Sequence, residues 1–416
     1  MKKNKLLWIY VLSASIYFVQ GIEGIPGLAL FKYMKEKLHF SPSTIMYLGC
    51  LISVAWLIKP IFGYVIDNYF NKKKWIFISL IGSLLICFYL GLSPFLPLFI
   101  LVPLLMLGNI NSALRDVSCD GIMCVEGKEA NECDSIQSIQ WISITVASII
   151  VGLLGGWIAD HSTYKIGYLC LLPIYLAIML IVSKYRTTVP KHRTIPDCYN
   201  CKFALDCTDK SNLVRDCFEK RIKPTFIQSI LSYKELFTNK QFLLGCAFIF
   251  IYQFAPGFGT PLQFIEIDKF KWSYTFMGTI GAISSGLGIL GAIVYYKVSK
   301  QIDVKRCLFW SVFIVGLTNI AYLWFTPITA IVYSFIFSIL GMFIFLNMMV
   351  FLAKSTLPGK EATSFALLCS VSNLSGVCSN LAGAWLFPIL GLKVIIIIAS
   401  LSAFLSLPIL RKLEIK

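Results

Sequence analysis

The chain has 416 residues, of which 57% are hydrophobic and only 14% charged, with a mean hydropathy of +0.76. Soluble globular domains carry about 25% charged residues, so a soluble enzyme or nucleic-acid-binding domain is excluded as the body of this chain. The net charge of +16 is accounted for by basic loops on one side of a membrane, and no nucleic-acid partner is expected.

The N-terminus, "MKKNKLLWIYVLSASIYFVQG", begins like a signal peptide, but no small-residue cleavage site follows, and we read it as an uncleaved first helix. Apolar windows fall at about 6–30, 43–66, 75–92, 95–119, 137–158 and 166–184. They resume at about 241–260, 274–297, 305–325, 327–352, 362–386 and 389–410. Windows of about 20 apolar residues match the hydrocarbon thickness of a lipid bilayer, and they exclude the alternating strands of a barrel. The fold class is therefore an all-α membrane protein: twelve transmembrane helices in two six-helix halves, 1–185 and 241–416, joined by a basic central loop over 186–240. Most of the 37 Lys and Arg residues fall in segments on the side of both termini, which are therefore expected to be cytosolic. The plasma membrane is the expected location, and an organelle membrane the alternative.

Ionisable groups are costly in lipid unless they face a cavity or a partner. Glu23 lies between Gly21 and Gly24, and counting along the first window places it some 10 Å toward the outer side. Lys59, before Pro60, falls in the inner half of the second window, which is followed by Asp67 and the basic run Lys72, Lys73 and Lys74. In the fourth window Asn109, Ser112, Asp116 and Asp120 are spaced 3, 4 and 4 apart, so they form one polar stripe. Asn111, Arg115 and Cys119 form a neighbouring one. The same counting sets Arg115 and Asp116 near the inner boundary, with Asp120 and Glu126 at or beyond it. Asp67, Lys72, Lys73, Lys74, Asp116, Asp120 and Glu126 are thus candidates for an inner gate. Proton or substrate contact is the sharper alternative for this cluster, and solvation of a helix end the blander one.

"GLLGGW" (152–157) and "GLGILG" (286–291) are read as close helix packing, because a dinucleotide fingerprint needs a preceding strand. The central loop carries Cys198, Cys201, Cys207 and Cys217. The opening C-x-x-C is zinc-like, but the later spacings fit no standard finger. A loosely ordered loop is expected, a metal-stapled one is the alternative, and disulfides are disfavoured in a reducing cytosol. In the second half Gln253, Gln263, Asn347, Asn373 and Asn380 add neutral polar groups, each either helix–helix glue or cavity lining. The sequon Asn373-Leu374-Ser375 is discounted because it lies within a span. His39, His161 and His192 are far apart, and no H-E-x-x-H, G-x-S-x-G or Walker loop is present, so no enzymatic activity is expected. Punctuation at "GYVIDNYFNKKKW" (63–75) is echoed at "GAIVYYKVSKQIDVKR" (291–306), which suggests the parallel repeats of the major facilitator fold.

Several stretches resemble the folate–biopterin transporter family, a branch of the major facilitator superfamily. They are "YFVQGI" (17–22), "WLIKPIFGYVID" (56–67), "DVSCDGIMCVE" (116–126), "SIQSIQW" (135–141), "QFAPGFGTPLQFI" (253–265) and "LPGKEATSFALLCSVSNLSG" (357–376). The family's pattern falls on Gln20, Lys59, Pro60, Gly63, Asp67, Asp116, Asp120, Pro256, Glu361 and Asn373. Three features depart from it: Arg115 where a small residue is expected, a Lys-rich rather than Arg-rich basic loop, and the charged stretch "IEIDKF" (265–270).

The resemblance implies twelve helices, no cofactor, and proton-linked movement of folates, pterins or related metabolites. S-adenosylmethionine or a nucleoside is the alternative cargo, and a channel, receptor or scaffold the alternative class. Importing a dianion against an inside-negative potential costs about 4.6 kcal/mol per 100 mV, which co-moving protons would offset. Glu23 and Asp116 are the proton-coupling candidates. Lys59, Arg115, Gln20, Trp56, Tyr252, Gln253, Asn347 and Asn373 are the substrate-binding candidates: the two cations would face carboxylates, and Trp56, Tyr252 and Phe254 would stack on a flat ring. The expected unit is a monomer in the bilayer, rocking one half against the other.

Overall fold

A computed structural model describes residues 2–94, 96–123, 132–185, 234–299, 301–356 and 361–414. Among these there are helices and turns and no strand. Nine stretches are long and apolar enough to cross a membrane. The last, Ser364–Lys412, holds two spans, because Gly391 adopts φ 73°, a left-handed conformation open to glycine at little cost. Two further spans, the second and the seventh, are broken into shorter helices, which gives the expected twelve among the described residues, and the chain is an integral membrane protein.

Side-chain caps at the starts of helices explain many of the boundaries. Ser41, Asn71, Asn239, Ser273 and Asp303 each accept a hydrogen bond from the backbone N–H three residues on, and Thr326 forms a reciprocal cap with Thr329. Each satisfies an amide that the first helical turn leaves unpaired.

The breaks have equally local causes. The second span runs as Pro42–Ile52, Val54–Leu57 and Lys59–Asn68. Pro60 has no N–H to give the Trp56 carbonyl four residues back, and Asn373 of the eleventh span donates to that carbonyl at 3.3 Å instead. The seventh span stops at Gln253 and restarts at Gly259, around Pro256. Here Ser379 receives the Ala255 N–H on its hydroxyl and the Gly257 N–H on its carbonyl. Ser375 donates to the Phe250 carbonyl at 2.7 Å, which also accepts the Phe254 N–H at 2.9 Å and so ends the helix. Irregular backbone at membrane depth survives where neighbouring helices satisfy it in this way.

Two cores result. One gathers Ile9, Leu12, Ile16, Leu80, Leu101 and Leu171 from the first six spans, the other Phe242, Phe248, Leu308, Phe351 and Leu368 from the last six. Leu85, Ile142, Leu180, Trp310 and Leu401 point outward, as lipid-facing residues do. Lipid removes the hydrophobic drive for helix pairing, so small residues set the contacts. Gly152 and Gly156 of the fifth span lie so close to Gly278 of the eighth that a side chain there would strike backbone, and Gly291 meets Ile339 of the tenth in the same way. "GLLGGW" and "GLGILG" are thus packing sequences, the first joining the two halves.

Candidate functional site

The first span is longer than its apolar window: it continues through Gly27–Lys32 and Tyr33–Lys37. Glu23 therefore lies near the middle of Leu6–Lys37, in the turn that interrupts the helix before Pro26, and not toward one side as its window suggested. Its carboxylate receives three donors. Arg115 Nη2 is at 2.5 Å and Tyr175 Oη at 2.6 Å, both on Oε1, and Ser112 Oγ is at 2.8 Å on Oε2. Arg115 is fully buried and also reaches Ser112 at 3.3 Å and Ser83 at 3.5 Å. The pair ties spans one, three, four and six together. Arg115, counted to the inner boundary, and Glu23, counted toward the outer side, are thus brought together across the bundle.

One residue on, the other polar stripe of span four serves the second span. Lys59 Nζ is 2.6 Å from Asp116 Oδ2, with side-chain exposures of 20% and 5%. The ammonium also lies 4.4 Å from the centre of the Trp56 ring, a cation–π distance, and Trp56 Nε1 donates to Asn109 Oδ1 at 3.0 Å. A further turn on, Asp120 accepts from Tyr17 Oη at 2.8 Å. Span four is the strut on which spans one and two hang their charges.

Buried ion pairs survive only when geometry and extra hydrogen bonds compensate desolvation. The Glu23–Arg115 pair has such bonds on every side except at Arg115 Nε, which lacks a partner. Lys59 is held differently, by one carboxylate and one ring, and keeps part of its side chain exposed.

The remaining candidates are scattered. Gln20 has its Oε1 buried without a hydrogen-bond partner, as has Asn347 its Nδ2. Tyr252 is buried in the second core, donating to Ser311 at 2.9 Å and stacking on Phe248. Gln253 accepts from Ser372 at 2.6 Å, and Asn373 bridges the halves at the Trp56 carbonyl. Among the gate candidates, Lys72 packs its stem on Gly121. Lys73 donates to the Ser183 and Tyr185 carbonyls, and Lys74 lies 5.7 Å from the Phe70 ring centre. These contacts, like those of Asp116 and Asp120, are made inside the first half. The side chain of Asp67, and Glu126, Cys198, Cys201, Cys207 and Cys217 entirely, lie outside the described residues.

Sequence reasoning missed Tyr17, Tyr175 and Ser83. It also missed a seal between the halves at the end opposite the chain termini. There Lys35 pairs with Asp268 at 2.6 Å, and the Tyr274 hydroxyl donates to Glu36 at 2.9 Å. Asp160 accepts the Tyr274 and Thr275 backbone N–H groups at 3.0 and 2.7 Å, which places a carboxylate at the positive end of the eighth span's helix dipole. Lys35 also sits 5.0 Å from the Phe264 ring centre, and Phe31 packs edge-on against the same ring. The available signal was one lysine and three carboxylates at span ends, Lys35 and Glu36 after the first, Asp160 after the fifth and Asp268 after the seventh.

Solved structures of transporters share this architecture. A D-xylose-proton symporter superposes with a TM-score of 0.72 at 10% identity, covering 99% of this chain and 98% of that one. The nucleoside transporter NupG gives 0.66 at 14% identity, covering 98% and 100%. These likenesses establish the major facilitator fold. In sequence, a folate-biopterin transporter of Synechocystis sp. is 25% identical, covering 98% of this chain and 82% of the relative. Folate transporter 1 of Plasmodium falciparum is also 25% identical, covering 88% and 70%. The BT1 family model matches residues 20–414, which takes in the broken spans, both intramembrane ion pairs and the seal, and the chain belongs to the BT1 family.

Proposed function

We propose that this protein is a secondary active transporter that carries folates, pterins or related metabolites across the membrane by alternating access, with protons as the coupling ion. The observation that supports the reading best is the pair of intramembrane salt bridges, Glu23–Arg115 and Lys59–Asp116, built on one strut beside two interrupted helices. Interrupted helices facing charged side chains at mid-depth are where transporters of this kind hold their cargo.

The two pairs take different parts. Lys59 faces the cargo: it is partly exposed, and a ligand carboxylate can take over from Asp116 while the Trp56 ring offers a stacking platform. Arg115, fully enclosed, acts as the lock that reports the state of Glu23. A proton on Glu23 removes the counter-charge of Arg115 and loosens spans one, three, four and six together, and its release restores the lock. Asp116 is the second proton acceptor, freed whenever Lys59 turns to a ligand. The described members of the inner-gate cluster, Asp116, Asp120, Lys72, Lys73 and Lys74, fasten the cytosolic end of the first half. With both termini cytosolic, the seal through Asp160, Asp268 and Tyr274 is the external gate, which opens when the halves rock. The working unit is a monomer.

Purified protein in liposomes, given labelled folate, pterin or S-adenosylmethionine under an imposed pH gradient, tests this directly. Gradient-driven, saturable uptake of a folate or pterin is expected, and Glu23→Gln should abolish the dependence on the gradient while sparing counterflow exchange. Uptake of S-adenosylmethionine alone would replace the cargo class. Non-saturating ion flux, or binding without flux, would overturn transport itself.

A further inference from the structure

A groove of about 210 Å³ opens between the ninth span, Val304–Ala321, and the tenth, Pro327–Lys354. Arg306 stands at its mouth in the first turn of span nine, with Trp310 one turn deeper and Ile314 a turn beyond that. Residues four apart share a helix face, so the three form one stripe about 12 Å long at 1.5 Å per residue. Phe343 and Ile344 of span ten make the opposite wall, and the Tyr295 ring of span eight holds Phe343 edge-on at 5.2 Å. The stripe borders lipid, since Trp310 is 58% exposed and Leu317, two turns on, 66%. The mouth lies at the end of the bundle that carries the C-terminal helix, where Lys305 donates to the Arg411 and Leu413 carbonyls at 3.1 and 2.6 Å.

Charge in this groove is confined to the mouth. The Arg306 guanidinium has no hydrogen-bond or ion-pair partner among the described residues, while its backbone N–H goes at 2.7 Å to the Asp303 carboxylate that caps the helix. Lys305 beside it is turned away to its two carbonyls. Ser311, which also borders the groove, is engaged with the Tyr252 hydroxyl and the Leu308 carbonyl. Past Arg306 and the Trp310 indole, an occupant therefore meets apolar side chains alone.

Three features in a line set what fits here: an unpaired guanidinium, an amphipathic ring and an apolar slot. A guanidinium matches phosphate in a two-pronged contact, and indole rings settle at the headgroup level of a bilayer. Compact organic ligands are enclosed by pockets of roughly 300–1,000 Å³, so this smaller groove suits a chain lying along it instead. We propose that the groove binds an anionic phospholipid of the adjoining leaflet, its phosphate on Arg306 and an acyl chain against Ile314, Phe343 and Ile344. The site is separate from Lys59 and does not rest on the folate–pterin reading.

The test uses the full chain in detergent, stripped of co-purified lipid and titrated with dioleoylphosphatidylglycerol or dioleoylphosphatidylcholine, the bound lipid being counted by native mass spectrometry. Saturable binding of the anionic lipid is expected, tighter than that of the zwitterionic one by about tenfold or more, the scale of one charge-assisted hydrogen bond. Arg306→Gln should remove most of that preference. Ile344→Trp, which fills the slot and keeps the charge, should weaken both lipids several-fold. Lys184→Gln, which removes an exposed charge at the end of the sixth span, should keep the preference of the wild type. Equal affinity for the two lipids, an unchanged preference in Arg306→Gln, unchanged affinities in Ile344→Trp, or an equal loss in Lys184→Gln overturns the site. Glycerol 3-phosphate should not displace the bound lipid. Its doing so would make this a site for free phosphate compounds and overturn the lipid assignment.

Discussion

The first half of the chain encloses Arg115 and Asp116, each paired with a charge from another span, whereas among the described residues the fully enclosed polar side chains of the second half are serines and Asn347, all neutral. The interrupted helices follow the same division. In the second span the break frees a carbonyl near a lysine, while in the seventh the freed Ala255 and Gly257 N–H groups are met by the Ser379 hydroxyl and carbonyl. One half therefore stores its specificity as charge, which protons and charged ligands can shift. The other fixes its break with hydroxyls that do not titrate near neutral pH.

The sharpest way to break this contrast is to remove one buried polar side chain from each half. Arg115→Met leaves Glu23 enclosed with hydroxyl donors alone, and stripping one partner from a buried pair costs about 3–5 kcal/mol. A large fall in the thermal midpoint is expected, most of it recovered by the double variant Glu23→Gln with Arg115→Met. Ser375→Ala in the second half should cost only about 1 kcal/mol. Equal losses for the two single variants, read by thermal unfolding in detergent, would erase the distinction between the halves.

The contrast is sharpened within the first half by Lys59. Its replacement by Met should lower initial uptake about tenfold or more, the usual scale of a lost charge-assisted hydrogen bond, while the thermal midpoint falls less than for Arg115→Met. Lys59→Arg, which keeps the charge but not the compact ammonium, should recover part of the rate. An uptake rate that followed stability in step across all three variants would make Lys59 a second lock rather than a ligand contact.

The seal between the halves should respond more gently. Asp160→Asn keeps the shape of the cap on Tyr274 and Thr275 but not its charge, and helix caps and dipole pairings are each worth about 0.5–2 kcal/mol. Spin labels placed at Lys37 and Lys269 on either side of the seal should show a longer-distance population gaining several-fold over the wild type. An unchanged distance distribution would leave the glycine contacts of Gly152, Gly156 and Gly278 as what holds this end shut.

Much of this was legible in the sequence, because lipid imposes simple rules. Apolar windows gave the spans, and the 3-4-4 spacing in span four announced a polar strut. What could not be read was depth. Glu23 was located by counting from a window that ended seven residues before the span does, and Arg115 by counting from the other end, so the partnership of the two stayed hidden. Asn373 was legible as polar but not as the donor to Trp56, because that bond spans 317 residues of sequence and depends on which carbonyl Pro60 leaves free. The seal was missed because Lys35, Glu36, Asp160 and Asp268 look like solvated helix ends until the eighth span brings its N-terminus against Asp160.

The smallest effect is expected where charge meets water. Glu132, at the terminus-side end of the fifth span, accepts a 2.8 Å hydrogen bond from the Tyr10 hydroxyl of the first, and that bond, with a second from Ser135, holds its carboxyl below the ordinary range. A carboxylate whose folded value is depressed stabilises the fold above its unfolded value, about pH 4.3, and loses that contribution as pH falls through the folded one. The thermal midpoint of the wild type should therefore exceed that of Tyr10→Phe by a small margin at neutral pH, and the gap should close in the acid range below the ordinary glutamate value. A gap that persisted unchanged at low pH would assign the Tyr10 contribution to packing of its ring.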